Sequence, residues 1–232
     1  MSRVLEVENV HTYIGDSHIL HGVSLHVEAG KVTAILGRNG VGKTTLIRSI
    51  VGFSRPRHGR VIFKGREVQQ MAAHRICHMG IGLVPQGRRI FPSLTVQEQI
   101  LLGARKGGSW TLDRIYELFP RLSERKQNLG GMLSGGEQSM LAISRALMTS
   151  PDVLVMDEPS EGLAPVVIQD LKRTFRELKD AGLTLLLVEQ NLSLALSVAD
   201  VVYIMSKGQV VHEGPAAELE EDSALRRQYL GV

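Results

Sequence analysis

Residues 32–52 read VTAILGRNGVGKTTLIRSIVG, and the fold turns on this stretch. Val32 to Leu36 is a short apolar run with β-branched members, the pattern of a parallel strand buried on both faces. A glycine-rich turn, Gly37 to Lys43, follows it and feeds Thr44 to Val51, a helix-compatible stretch closed by Gly52. Residues 37–44, GRNGVGKT, fit G-x-x-x-x-G-K-[ST] at every position. Gly37, Gly40 and Gly42 let the backbone turn tightly and aim N–H groups inward, the geometry that cradles phosphate oxygens. The positive end of the following helix adds to that attraction. Lys43 supplies a mobile ammonium for the β- and γ-phosphates of a nucleotide. Thr44 supplies a hard hydroxyl ligand for Mg²⁺, and Thr45 a further donor.

Outward from this loop, Val4–Val10 and Ser24–Val27 read as strands on its N-terminal side, and Arg60–Phe63 as another beyond it. Apolar runs recur at Ile81–Val84, Val153–Met156, Leu185–Val188 and Val201–Met205. Between them, Val166–Leu178 places Val167, Leu171, Phe175 and Leu178 at helical spacing, with Pro165 where a first turn tolerates it. Strand and helix in alternation imply a parallel sheet covered by helices. Residues from about Arg88 to Ser150 interrupt that rhythm with helical stretches only, and the expectation is a helical subdomain inserted over 88–150 of a single 1–232 unit.

The run VLVMDE over 153–158 is an apolar strand ending in two carboxylates. Such a strand delivers Asp157 to the carboxyl edge of the sheet, where ligands bind in open α/β folds. Asp157 is expected to hold Mg²⁺ and Glu158 to polarise the attacking water as general base. Pro159 ends the strand.

Residues 133–138 read LSGGEQ. With the phosphate loop and the Asp-Glu strand in the same order, the chain resembles the ABC-type ATPases from end to end. Ser134 and the N–H groups of Gly135 and Gly136 cluster donors at the start of a helix running to about Met148. The resemblance implies an α/β P-loop NTPase core, mostly parallel, with an N-terminal antiparallel β subdomain and an inserted helical subdomain. It implies ATP and Mg²⁺ as cofactors, with Gly37, Arg38, Asn39, Gly40, Val41, Gly42, Lys43, Thr44 and Thr45 around the nucleotide. Ser134, Gly135, Gly136 and Gln138 are expected to close over ATP held by a partner chain's loop. Tyr13 stands where the family stacks an aromatic on adenine. Gln86, in LVPQGRRIF, stands at the family's Gln-containing loop, reaching Mg²⁺ and the attacking water while Arg88–Pro92 lead toward a membrane partner. Two positions depart from the family pattern: Gln190 replaces a γ-phosphate-contacting His, and Ala164 replaces an Asp. Gln donates a hydrogen bond but carries no charge near neutral pH.

The segments VPQGRRIFPSLTVQE, YELFPRL, DEPSEGLAP and LVEQN resemble the ATP-binding subunits of branched-chain amino acid importers. Importers of urea, short amides and other amino acids share much of the pattern. A homodimer or a heterodimer with a paralogous ATPase is implied, beneath two transmembrane permease subunits, with a solute-binding protein outside. The site is therefore expected at the cytoplasmic face of the membrane.

Composition agrees with that class. The 232 residues are 43% hydrophobic and 22% charged, with net charge +3. The longest apolar run, Val201–Met205, is far short of the ~20 residues that span a bilayer. The first ten residues carry acidic side chains and lack a basic-then-apolar secretion pattern. Cys77 is the single cysteine and fits a reducing compartment. DNA-repair ATPases of this type insert a long coiled coil between phosphate loop and signature; Lys43 and Ser134 are too close for one, so no nucleic-acid partner is expected. His74, Cys77 and His78 lack a fourth ligand for zinc.

Overall fold

The computed structural model describes residues 2–231; Met1 and Val232, the ends of the expected 1–232 unit, lie outside the described residues. Strands β1 (Arg3–Ile14) and β2 (Ser17–Glu28) form a hairpin, and β3 (Val32–Leu36) runs through the glycine loop into α1 (Lys43–Ile50). Then β4 (His58–Phe63), β5 (Arg66–Glu67) and α2 (Ala73–His78) lead to β6 (Ile81–Val84). Helices α3 (Val96–Leu101), α4 (Leu112–Leu118), α5 (Pro120–Glu124) and α6 (Gly135–Leu147) follow, with a 3-10 turn at Gly130–Met132. The remainder is β7 (Val153–Asp157), α7 (Pro165–Asp180), β8 (Thr184–Glu189), α8 (Leu192–Val198), β9 (Val201–Ser206), β10 (Gln209–Pro215), α9 (Ala216–Glu221) and α10 (Ser223–Tyr229).

Two sheets result. One is antiparallel, in the order β2-β1-β4-β5. The other runs β10-β9-β3-β8-β7-β6, parallel from β9 to β6 with β10 antiparallel at the edge. Every residue of β3, β7 and β8 is buried, because helices or the second sheet cover both faces. Alternation divides each strand between two cores. Leu154, Met156, Leu185 and Leu187 pack on Leu141 and Leu147 of α6 and on Leu171, Phe175 and Leu178 of α7. Val153, Val155, Leu186 and Val188 pack on Leu46, Ile47 and Ile50 of α1 and on Val7, Leu20 and Phe63 of the antiparallel sheet. The loops carrying Lys43 and Glu158 thus leave the ends of two immobilised strands, β3 and β7, that flank β8.

The differences from expectation have local causes. β1 and β2 extend beyond Val4–Val10 and Ser24–Val27, since register shifts break their apolar alternation and half-buried histidines occupy the added positions. β10 carries no fully buried residue and gave no apolar signal. Among the described residues, 88–150 holds helices and one isolated bridge, Thr95–Leu129. Helix α6 nevertheless shares a core with β7 and β8, so packing is continuous across the edge of that helical region. Among the described residues no helix is long and apolar enough to cross a membrane.

Candidate active site

The loop between β3 and α1 needs glycine at two points for separate reasons. A side chain at Gly37 would place its Cβ 2.5 Å from the carbonyl oxygen of Met205 on the neighbouring strand. Gly42 caps α1 with φ 108°, and a Cβ there would lie 3.0 Å from Leu20 Cδ2. Asn39, Gly40, Gly42, Lys43, Thr44 and Thr45 line a cavity of about 380 Å³ together with Ile19, Gln86, Glu158 and Glu161.

Inside it the polar groups satisfy one another. Lys43, 4% exposed, donates from Nζ to the carbonyls of Gly37 (2.7 Å) and Arg38 (3.1 Å). The same ammonium lies 3.2 Å from Glu158 Oε1. The second oxygen of Glu158 accepts from Gln86 Nε2 at 3.2 Å, and that amide also donates to Glu161 Oε2 at 3.1 Å. A hydrogen-bonded chain therefore runs Lys43–Glu158–Gln86–Glu161. Glu158 has a left-handed backbone, φ 50°, held by its N–H donating to Val188 O at 2.9 Å. That kink turns the chain out of β7 one residue after Asp157. Asp157 is 3% exposed and accepts from Thr44 Oγ1 at 3.3 Å. Burial raises its carboxyl pKa to about 6; the Thr44 hydrogen bond works against that rise and the Glu158 charge adds to it. The hard oxygens of Thr44 and Asp157, 3.3 Å apart, fit a small divalent cation.

Ser134 caps α6 and forms a capping box with Glu137: its Oγ accepts from Glu137 N–H at 3.3 Å and its own N–H donates to Glu137 Oε2 at 2.8 Å. Arg125 Nε holds the other Glu137 oxygen at 2.8 Å. Gly136 packs so closely on Val167 of α7 that a Cβ would meet its methyl at 2.8 Å. Ser134, Gly135, Gly136 and Gln138 line no part of the phosphate-loop cavity; Gln138 borders a neighbouring one with Glu158 and Arg88. Gln190 is exposed and lines a further cleft, which it shares with Glu158, Ser160 and Glu161. Arg38 is exposed and Val41 packs on the core, so neither side chain faces the cavity. Ala164 is the N-cap of α7 and offers no side-chain hydrogen bond. Among the described residues no three metal-ligating side chains cluster, which includes His74, Cys77 and His78.

Tyr13 is not among the residues that line the cavity. Its ring stacks on His18 with centroids 4.2 Å apart, and the Arg57 guanidinium lies 4.1 Å from its centroid. Its neighbour Thr12 points to the other face of β1, exchanging a 2.8 Å hydrogen bond with Ser49 of α1. The apolar side chain at the cavity is Ile19, which follows His18 where the β1–β2 register shifts.

Ile19, Glu161 and Glu189 escaped the sequence reading. Glu189 ends β8 as Asp157 ends β7, so an apolar run closed by a carboxylate was a signal available for it. Glu161 and Ile19 carried none, since a loop glutamate and a strand isoleucine are unremarkable until folded.

The family model described as ABC transporter matches residues 20–161 of the chain. A full-length relative is the high-affinity branched-chain amino acid transport ATP-binding protein BraG of Pseudomonas aeruginosa, 39% identical over 98% of this chain and 100% of its own. The lipopolysaccharide export ATP-binding protein LptB of Haemophilus influenzae is 32% identical over 98% and 97%. Among solved structures, a nucleotide-free ATP-binding cassette from an ABC transporter superposes with TM-score 0.85 at 33% identity, covering 96% of each chain. A cassette in its ADP conformation gives 0.84 at 32% identity over the whole of both. Cradle, carboxylate pair and signature helix stand in the order and on the fold of those relatives, and the chain belongs to the ABC transporter family as one of its ATP-binding, ATP-hydrolysing subunits, which work with membrane permease subunits.

Proposed function

We propose that the chain powers uptake of branched-chain or related amino acids, as one half of a dimer that grips ATP between two chains. The observation that carries the two-chain reading is the position of the α6 tip. The cap takes the Glu137 N–H, but the N–H groups of Gly135 and Gly136 have no partners within the helix, and the tip borders no part of its own chain's phosphate-loop cavity. Its donors are therefore left for a triphosphate cradled by a second copy or a paralogue. Full-length similarity to BraG supports the cargo class.

In this reading Lys43 leaves Glu158 for the β- and γ-phosphates. Glu158, released, orients the attacking water and accepts its proton, while Gln190 donates to the γ-phosphate. Thr44, Asp157 and Gln86 would hold Mg²⁺, which supplies charge neutralisation across the phosphate oxygens. Gln86 passes its change of partner to the helical region 88–150 and so to two transmembrane subunits at the cytoplasmic face, where a solute-binding protein outside delivers cargo.

The similarity to LptB favours a second reading, a motor for lipopolysaccharide export. The assembled transporter, reconstituted in vesicles, separates the two. ATP-driven accumulation of labelled leucine, isoleucine or valine is the expected result. Accumulation of none of them, with ATP turnover stimulated by lipopolysaccharide, would overturn it.

A further inference from the structure

Glu189 is a carboxylate with 1% exposure, inside the sheet at the end of β8. Its strand lies between β3, which leads to the phosphate loop, and β7, which leads to Glu158: Leu36 pairs with Glu189, and Asp157 with Val188. Burying a carboxylate is expensive unless its oxygens are fully served. Here four donors serve them. The Ser160 N–H donates to Oε1 at 3.0 Å; the Ser160 hydroxyl (2.8 Å), Gln190 N–H (3.0 Å) and Asn191 N–H (3.1 Å) donate to Oε2. Burial raises the carboxyl pKa, and the four hydrogen bonds draw it back.

These donors belong to two different loops. Ser160 is two residues past Glu158, directly after the turn that gives Glu158 its left-handed backbone. Gln190 and Asn191 open the next loop, and Asn191 caps α8 by accepting from Leu194 N–H at 3.0 Å. Both loops line one cleft, with Glu158, Ser160, Glu189 and Gln190 among its residues.

We propose that Glu189 is a positioning residue for hydrolysis: it staples the turn behind Glu158 to the loop bearing Gln190, fixing the spacing of the two side chains that share the cleft. The inference rests on the hydrolytic reading of Glu158. Because Glu189 lines no part of the phosphate-loop cavity, its effect falls on turnover and not on nucleotide capture.

Glu189→Gln keeps size and removes charge; one of its two termini becomes a donor and meets a donor. In the full chain, kcat for ATP should fall 10- to 100-fold while affinity for a fluorescent ATP analogue stays within threefold. Ser160→Ala, which deletes one of the four hydrogen bonds without burying a new group, should lower kcat threefold or more, again at constant affinity. The double variant should be no slower than Glu189→Gln alone. Turnover within twofold of native in Glu189→Gln, or affinity falling in step with kcat, would overturn the inference. If Glu189→Gln does not fold, Ser160→Ala decides: unchanged kcat refutes the staple. Glu158→Gln measured alongside keeps the two claims apart. Its collapse beside unaffected Glu189 and Ser160 variants sinks only the staple, whereas its survival sinks the base and the staple's purpose with it.

Discussion

Glu158→Gln tests more than loss of a base, because Glu158 is also the counter-ion of Lys43. The two charges lie 3.2 Å apart with side chains 4% and 10% exposed. Coulomb attraction at that distance is about 5 kcal/mol at an effective dielectric of 20. Lys43 retains two backbone acceptors in the variant, which offset part of the loss, leaving about 2–3 kcal/mol of destabilisation. That is a drop of roughly 4–12 °C in the melting temperature of the nucleotide-free chain, taking about 2–4 °C per kcal/mol for its size. A bound triphosphate supplies Lys43 with a new anion, so the same free energy reappears as affinity. ATP should bind about 30- to 150-fold more tightly, at 1.4 kcal/mol per tenfold. Turnover should fall by about 10²–10⁴ through loss of the general base. Thermal unfolding with and without magnesium-ATP, a fluorescent-nucleotide titration and phosphate release read the three effects separately. A variant that melts within 1 °C of native and binds ATP no more tightly would refute the counter-ion argument, whatever its turnover.

Lys43→Ala should weaken nucleotide binding by about 2–4 kcal/mol, since a charge-assisted contact to phosphate is lost with no neighbour to replace it; native affinity in an equilibrium titration would contradict the cradle. Ser134→Ala removes the α6 cap and should cost about 1 kcal/mol in a urea-unfolding experiment, while ATP-dependent dimerisation, followed by light scattering, falls further than that loss explains. Ala164→Asp should do the reverse at α7, whose N-cap has the extended backbone of a capping residue but no side-chain acceptor; about 1 kcal/mol of added stability is expected in the same experiment. Burial works to raise the Asp200 pKa, but hydrogen bonds from Lys179 and Val32 N–H and the charges of Lys179 and Lys31 outweigh it, so the folded carboxyl lies below its ordinary value. Its stabilising contribution is then complete above the unfolded pKa of about 3.9 and is lost as pH falls through the lower folded one. Asp200→Asn should therefore lower the urea midpoint at pH 7 and make progressively less difference as the pH falls below about 3.9.

The central sheet was legible because β3, β7 and β8 are buried on both faces and so appear as unbroken apolar runs. The phosphate loop was legible because its glycines answer to backbone geometry, which leaves few substitutes. The long hairpin was not, since its register shifts move the apolar residues off a period of two. Nor were the partners of Tyr13, whose ring stacks on His18 and lies against the Arg57 guanidinium while Thr12 takes the side toward α1. Glu161 and Glu189 act through partners about thirty or more residues distant, and pairings of that kind exist only after the sheet has aligned the strand ends.

The stacked ring of Tyr13 bears on which nucleotides the motor accepts. With His18 stacked on it at 4.2 Å and the Arg57 guanidinium 4.1 Å from its centroid, that ring already has partners in its own sheet, and a purine that left this stack intact would rest on the aliphatic flank of Ile19. An aliphatic surface attracts a flat heterocycle without reading the groups on its rim. Discrimination would then reside almost wholly in the phosphates, and GTP should drive this machine at a rate close to that of ATP.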